Sequence, residues 1–254
     1  MIKTGLVIWS SLLLSILPFE NKAQDLANIL NEAKRLEAAF KDQEALNKYL
    51  EVLRYQPTNL TALCKASELY SKLGKRQSGK ENQKKYYNSA KDYAQKALQA
   101  NSNSSEANFV MSVALGRVAL LSSGDEKIKA IKDIKTYAEK SIRFDPSNFK
   151  GYHVLGKWHY EVSNLSAVEK WLVRVTFGAL PEASLGDAIR NYEKSKQLNP
   201  SFLLNYLELA RSYHRDDKDK KAIEMLEALL KLPDASSDDA TIRREAQKLL
   251  QEYK

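Results

Sequence analysis

A spacing of four, three and five residues recurs five times along the chain and limits what it can fold into. It reads Ala45, Tyr49, Val52, Pro57; then Ala90, Ala94, Ala97, Ser102; then Ile134, Ala138, Ser141, Pro146; then Ala188, Tyr192, Ser195, Pro200. The last copy is Ala222, Leu226, Leu229, Asp234, with Pro233 one residue early. Steps of four and three hold side chains on one face of a helix with 3.6 residues per turn, and a proline stops that helix. A partner pattern with steps of three, one and three precedes the later copies: Leu63, Ala66, Ser67, Tyr70; Asn108, Met111, Ser112, Leu115; Tyr152, Leu155, Gly156, His159; Tyr206, Leu209, Ala210, Tyr213. Small residues such as Gly156 and Ala188 fall where two helices must come close, and larger ones fill the space between. Each unit is therefore a helical hairpin. It is too short to bury its own apolar face, so the copies must stack.

Pro200 to Asp234 is 34 residues, the period of the tetratricopeptide repeat. The other intervals are longer: Pro57 to Ser102 is 45, Ser102 to Pro146 is 44 and Pro146 to Pro200 is 54. The extra residues fall between the two helices of a unit. The expected fold is all-α, a right-handed α-α superhelix: a tetratricopeptide-like solenoid of about five helical hairpins plus a C-terminal capping helix. Residues 25–54 make the first hairpin, with Ala33, Leu36, Ala39 and Phe40 facing inward. Residues 74–85 form a basic loop or a helix extension. The helix from Glu106 to Leu121 is apolar on several sides, so it is expected to lie buried between neighbours. Residues 234–239 cap a last helix that runs to Lys254.

A mean hydropathy of −0.50 with 43% hydrophobic residues excludes a bundle of membrane spans. Residues 1–23 differ in kind. Lys3 precedes an apolar run over residues 6–17, followed by Pro18 and a polar segment with Ala23 before Gln24, the layout of a secretory signal peptide. The run is shorter than the ~20 residues that cross a bilayer. Cleavage after Ala23, an exported (periplasmic or secreted) chain, no integral span in the mature chain and a repeat domain over residues 24–254 are the expectations. Cys64 is the sole cysteine, which rules out an internal disulfide, and its apolar helical setting reads as a small buried hydrophobe.

No constellation of catalytic residues emerges, so no enzyme and no cofactor are expected. Gly151, Gly156 and Lys157 mimic a phosphate-binding loop, but Trp158 stands where the magnesium-binding Ser or Thr is needed. His153, His159 and His214 have no metal-ligand spacing, and Asp216, Asp217 and Asp219 lack the glycine of a calcium loop. Nucleic acid would rest on the pI of about 9.3 alone, without interleaved aromatic and basic residues.

In a repeat stack of this kind the first helix of each hairpin lines the concave face. Counting along those helices places Phe109, Val113, Gly116 and Arg117 there, then His153, Lys157, Tyr160 and Glu161, then Leu207, Arg211, His214 and Arg215. This wall is apolar at one end and basic at the other. It fits a protein or peptide ligand of acidic character, each charge-assisted bond contributing about 1.5–3 kcal/mol. Residues 162–185 carry an unusual apolar load, including Trp171, Leu172 and Val175, behind a capping box of Ser166 and Glu169. Such a helix is expected to cover something, whether a hairpin, a pocket or a ligand.

Trp158, Tyr160, Val162, Ser163, Leu165, Ser166, Glu169 and Lys170, followed by Pro181, Asp187-Ala188 and Asn199-Pro200, form a more specific pattern. It resembles the C-terminal repeat domain of the regulator of microtubule dynamics family over residues 128–232. The resemblance implies a helical-repeat architecture. It also implies a second functional reading, a phospholipid-binding or lipid-transfer module in which the 162–185 helix lids a hollow and basic residues hold the phosphate.

Overall fold

The structure, a computed structural model, describes residues 17–254, with side chains from residue 24 onward except that of Phe177. Among the described residues there are twelve α-helices and no strand. They are α1 (Leu17–Ala38), α2 (Asp42–Tyr55), α3 (Leu60–Lys75), α4 (Lys80–Ala100), α5 (Ser105–Ala119), α6 (Gly124–Phe144), α7 (Phe149–Ser163), α8 (Ala167–Phe177), α9 (Leu185–Leu198), α10 (Leu203–Arg215), α11 (Asp219–Lys231) and α12 (Asp239–Glu252). The pairs α1/α2, α3/α4, α5/α6, α7/α9 and α10/α11 are the five hairpins, and α12 packs on α10 and α11 as the cap. The apolar run of the expected signal peptide, save its last residue, lies outside the described residues.

The four-three spacing marks the helix seams. Ala45, Tyr49, Val52, Ala90, Ala94, Ala97, Ala138, Ser141, Ala188, Tyr192, Ser195, Ala222, Leu226 and Leu229 are all wholly buried, leaving only Ile134 of that set partly exposed. Helix starts are set by side chains that accept from the exposed first-turn amides: Asn59 from Ala62, Ser104 from Ala107, Asn148 from Lys150 and Ser184 from Asp187. Pro57, Pro146 and Pro200 follow the ends of α2, α6 and α9 by two residues. At Gly156 an added Cβ would sit 2.9–3.1 Å from ring atoms of Tyr192, and at Gly74 it would meet the Tyr87 ring at 2.6 Å. Both glycines let a tyrosine of the second helix lie flat against the backbone of the first. α5 is buried along most of its length, between α3, α4, α6 and α7.

Of the two alternatives for residues 74–85 the helix extension holds, and two details differ from expectation. The basic stretch 74–85 is mostly helical, because Gly79 at φ +82° turns the chain and α4 starts directly after it. The long second and third units therefore hold their extra residues as added turns on α4 and α6. Only the fourth unit inserts a separate helix, α8. Ala39 and Phe40 do not face inward: α1 ends at Ala38, and Phe40 sits exposed in the following turn at φ +60°.

The stack curves with its first helices inside. Lys150 on α7 donates to Glu106 on α5 at 2.9 Å and also reaches Glu68 on α3 at 3.4 Å, skipping a unit. Such a reach requires that α3, α5 and α7 lie on the short side of the bend. The bend also brings the starts of α2 and α12, near the first and last helices of the stack's described residues, within reach of each other. Arg76, after α3, pairs with both Asp42 of α2 and Asp238 beside α12, and Ser237 donates to Asp42.

Candidate ligand-binding wall

The inner wall is built from α3, α5, α7, α10 and α12, and ion pairs cover much of it. In the first half, Glu37 of α1 accepts from Lys65, Lys65 also pairs with Glu68, and Lys150 joins Glu68 to Glu106. Burial alone would push the Glu68 carboxyl up, but Lys150 and Lys65 outweigh it and hold the group below its ordinary value. In the second half, Lys157 of α7 pairs with Glu161 at 2.9 Å and Glu208 of α10 at 3.0 Å. Arg211 pairs with the same Glu208 and with Glu245 of α12. The Glu208 side chain is only 7% exposed, held between two cations, while Glu161 and Glu245 stand in solvent. Burial would depress the Lys157 ammonium, yet Glu208 and Glu161 keep it above the usual lysine range and charged.

The residues counted onto the wall from the sequence divide into three groups. Leu207 is 1% exposed and belongs to the core of the last two hairpins, so it meets no ligand; the register at the start of α10 turns it inward. Phe109 is likewise buried, with the Lys150 ammonium over its ring at 4.9 Å. His153 packs its ring on Tyr192 and Phe202 and places Nδ1 3.0 Å from Asn205 Oδ1, where it donates. Burial holds that imidazole below its usual range, and hence neutral. These three are structural.

A second group, Lys157 and Arg211, is on the wall but already bound to carboxylates from other helices. The expected basic surface is thus largely neutralised from within. The third group holds two arginines without a carboxylate and one histidine paired at the rim. Arg117, half-buried at the end of α5, has no ion pair among the described residues, and its Nε is buried without an acceptor. Arg215 donates to the Tyr160 carbonyl and lies over the Tyr160 ring at 5.1 Å, again with no carboxylate. His214 stacks on Tyr253 and pairs with Asp219 at the rim. Arg117 and Arg215 occupy corresponding positions, near the C-terminal ends of α5 and α10.

The 162–185 segment does not close over a hollow. Trp171, Leu172 and Val175 of α8 are exposed, and α8 touches the stack mainly at α6. Beside it lies an open depression lined by Val162, Lys170, Arg174, Leu180 and Pro181 among others. The capping box is present: Ser166 Oγ accepts from the Glu169 amide and Glu169 Oε2 from the Ser166 amide. Cys64 is buried, and burial raises its thiol to about 12, so it stays a thiol. Among the described residues no group of His, Cys, Asp and Glu gathers as a metal site, and no helix is long and apolar enough to cross a membrane.

Among solved structures, a thermophilic tetratricopeptide-repeat protein of Thermus thermophilus superposes with a TM-score of 0.67 at 14% identity, covering 89% of this chain and 99% of its own. PilF of Pseudomonas aeruginosa gives 0.56 at 11% identity, with 92% and 90% covered. At these identities the likeness concerns the fold: a tetratricopeptide-type helical scaffold. Mouse regulator of microtubule dynamics protein 3 is 26% identical over 191 residues, 75% of this chain and 40% of its own length. The corresponding protein 1 of Caenorhabditis elegans is 27% identical over 171 residues, covering 67% of this chain and 76% of its own. The chain thus spans about two fifths of the mouse relative's length. The family model described as regulator of microtubule dynamics protein 1-3 matches residues 29–254, nearly all of the repeat stack, and the chain belongs to that family.

Proposed function

We propose that the protein is a non-enzymatic scaffold that holds an acidic segment of a partner protein against its inner wall. The observation that carries this reading is that Arg117 and Arg215, at corresponding positions on α5 and α10, both lack a carboxylate among the described residues. Lys157 and Arg211 already have carboxylate partners, so the unpaired arginines are where an incoming carboxylate gains most. Arginine suits this role because its planar fork bonds a carboxylate through two parallel N–H groups. Tyr160, between them in sequence order and carrying the Arg215 guanidinium on its ring, supplies an apolar surface beside the charges.

The test is selection of a random peptide library on the immobilised full chain. Enrichment of Asp- and Glu-rich sequences, lost in the Arg117→Gln/Arg215→Gln variant, is expected. Enrichment without acidic bias would remove this reading. Because the relatives are named for microtubule dynamics, microtubule protein belongs among the partners offered in a follow-up binding assay. A carried phospholipid has less support, since its lid helix presents Trp171, Leu172 and Val175 to solvent.

A further inference from the structure

Seven large hydrophobic side chains are exposed among the described residues, and four of them lie on α8: Val168 at 73%, Trp171 at 63%, Leu172 at 56% and Val175 at 65%. Their spacing of three, one and three puts all four on one face of the helix. That face is not a frayed end of the core. The capping box fixes the start of α8, Gly178 at φ +78° ends it, and the helix rests mainly on α6. A helix that is well capped and yet turns a tryptophan and three aliphatic side chains to water is built to lie against something else.

We infer that α8 docks the solenoid onto an anionic bilayer surface, lying in the plane of the interface. Eleven residues span only about 16 Å, too short to cross a bilayer and suited to lying on one. Trp171 has the amphipathic ring that favours the headgroup boundary. Arg174 stands at the edge of the apolar face, while Lys170 lies further round the helix and turns back to the Ser163 carbonyl; neither has a carboxylate partner among the described residues. The one acidic residue of the helix, Glu169, is engaged at the N-terminus by the Ser166 amide. Long basic side chains beside an apolar stripe can reach lipid phosphates while the stripe enters the acyl boundary. The formal net charge of +8 adds attraction at longer range. This surface is on α8, outside the wall of α3, α5, α7, α10 and α12, so its test is independent of the peptide reading.

An environment-sensitive fluorophore on Val175→Cys in the full chain reports on this face alone, because Cys64 is buried and its thiol is held up at about 12. The probe is vesicles of phosphatidylcholine with about 30 mol % phosphatidylserine, against phosphatidylcholine alone. The expected result is a blue shift of the label on the anionic vesicles, weaker on the neutral ones and weakened by high salt. Adding Trp171→Ser and Leu172→Ser should weaken vesicle partition roughly tenfold or more, with the thermal melt unchanged. No shift on either vesicle, or a partition indifferent to the two serine substitutions, would overturn the inference. So would a shift that appears without vesicles on raising the protein concentration, which would give the face to a second copy. Should the serine variant misfold, the label on Val175→Cys alone still decides.

Discussion

Glu208 is where the largest single-residue effect on the wall is expected. It is nearly buried between Lys157 and Arg211, and removing one partner of such a group costs far more than the pair contributes net. Arg211→Glu should therefore lower the melting temperature by several degrees, at about 2–4 °C per kcal/mol for a chain of this size, rather than act as a clean binding mutation. Arg117→Gln has no carboxylate to strand, so its melt should match wild type. If Arg211→Glu melts like wild type, the Glu208 network is not structural. The partners that Lys157 and Arg211 find on other helices were illegible in the sequence for a definite reason, unlike the same-helix pairs Lys157–Glu161 and Arg211–Glu208. Glu208 lies 51 residues from Lys157 and Glu245 lies 34 from Arg211, on helices brought together only by stacking. Spacing along one helix finds which side chains share a face; it does not reveal what the next unit places opposite them.

Between elements, the tightest seam is the crossing of α7 and α9. Gly156→Ala puts a methyl group within 2.9–3.1 Å of the buried Tyr192 ring, and overpacking of this kind costs about 1–3 kcal/mol. Chemical denaturation should show that loss without a change in fold; an unaltered midpoint would mean that α7 and α9 pack in another register. α8 is expected to behave oppositely. With few contacts to the stack, its amides should exchange with deuterium faster than those of α7 and α9, and Ser166→Ala should speed them further while the global melt stays put. Equal protection across α7, α8 and α9 would contradict this. The hairpin seams were legible because wholly buried positions such as Ala45, Tyr49 and Val52 follow helical periodicity directly. The apolar stripe of α8 was legible too, but periodicity gives a stripe without saying which way it turns, and Trp171 faces out.

At the scale of the whole molecule, the curvature brings Arg76, Asp42, Ser237 and Asp238 together across the ends of the stack. Burial alone would raise the Asp42 carboxyl, but Ser237, Arg76 and Lys72 hold it below its ordinary value of 3.8. A depressed carboxyl stabilises the fold above its ordinary value, and that stability is lost as the pH falls through the depressed one. Wild type should thus lose melting temperature below about pH 4, and Asp42→Asn should show a shallower loss there on a lower neutral-pH baseline; identical pH slopes would exclude the end-to-end contact as their source. The same curvature produces the wall, and the wall is what the proposed function depends on. Titration calorimetry of an acidic peptide selected on the full chain measures that most directly. Arg117→Gln/Arg215→Gln should bind it at least about tenfold more weakly, since each charge-assisted bond contributes about 1.5–3 kcal/mol. Undiminished affinity in that variant, with the fold intact, would contradict the account.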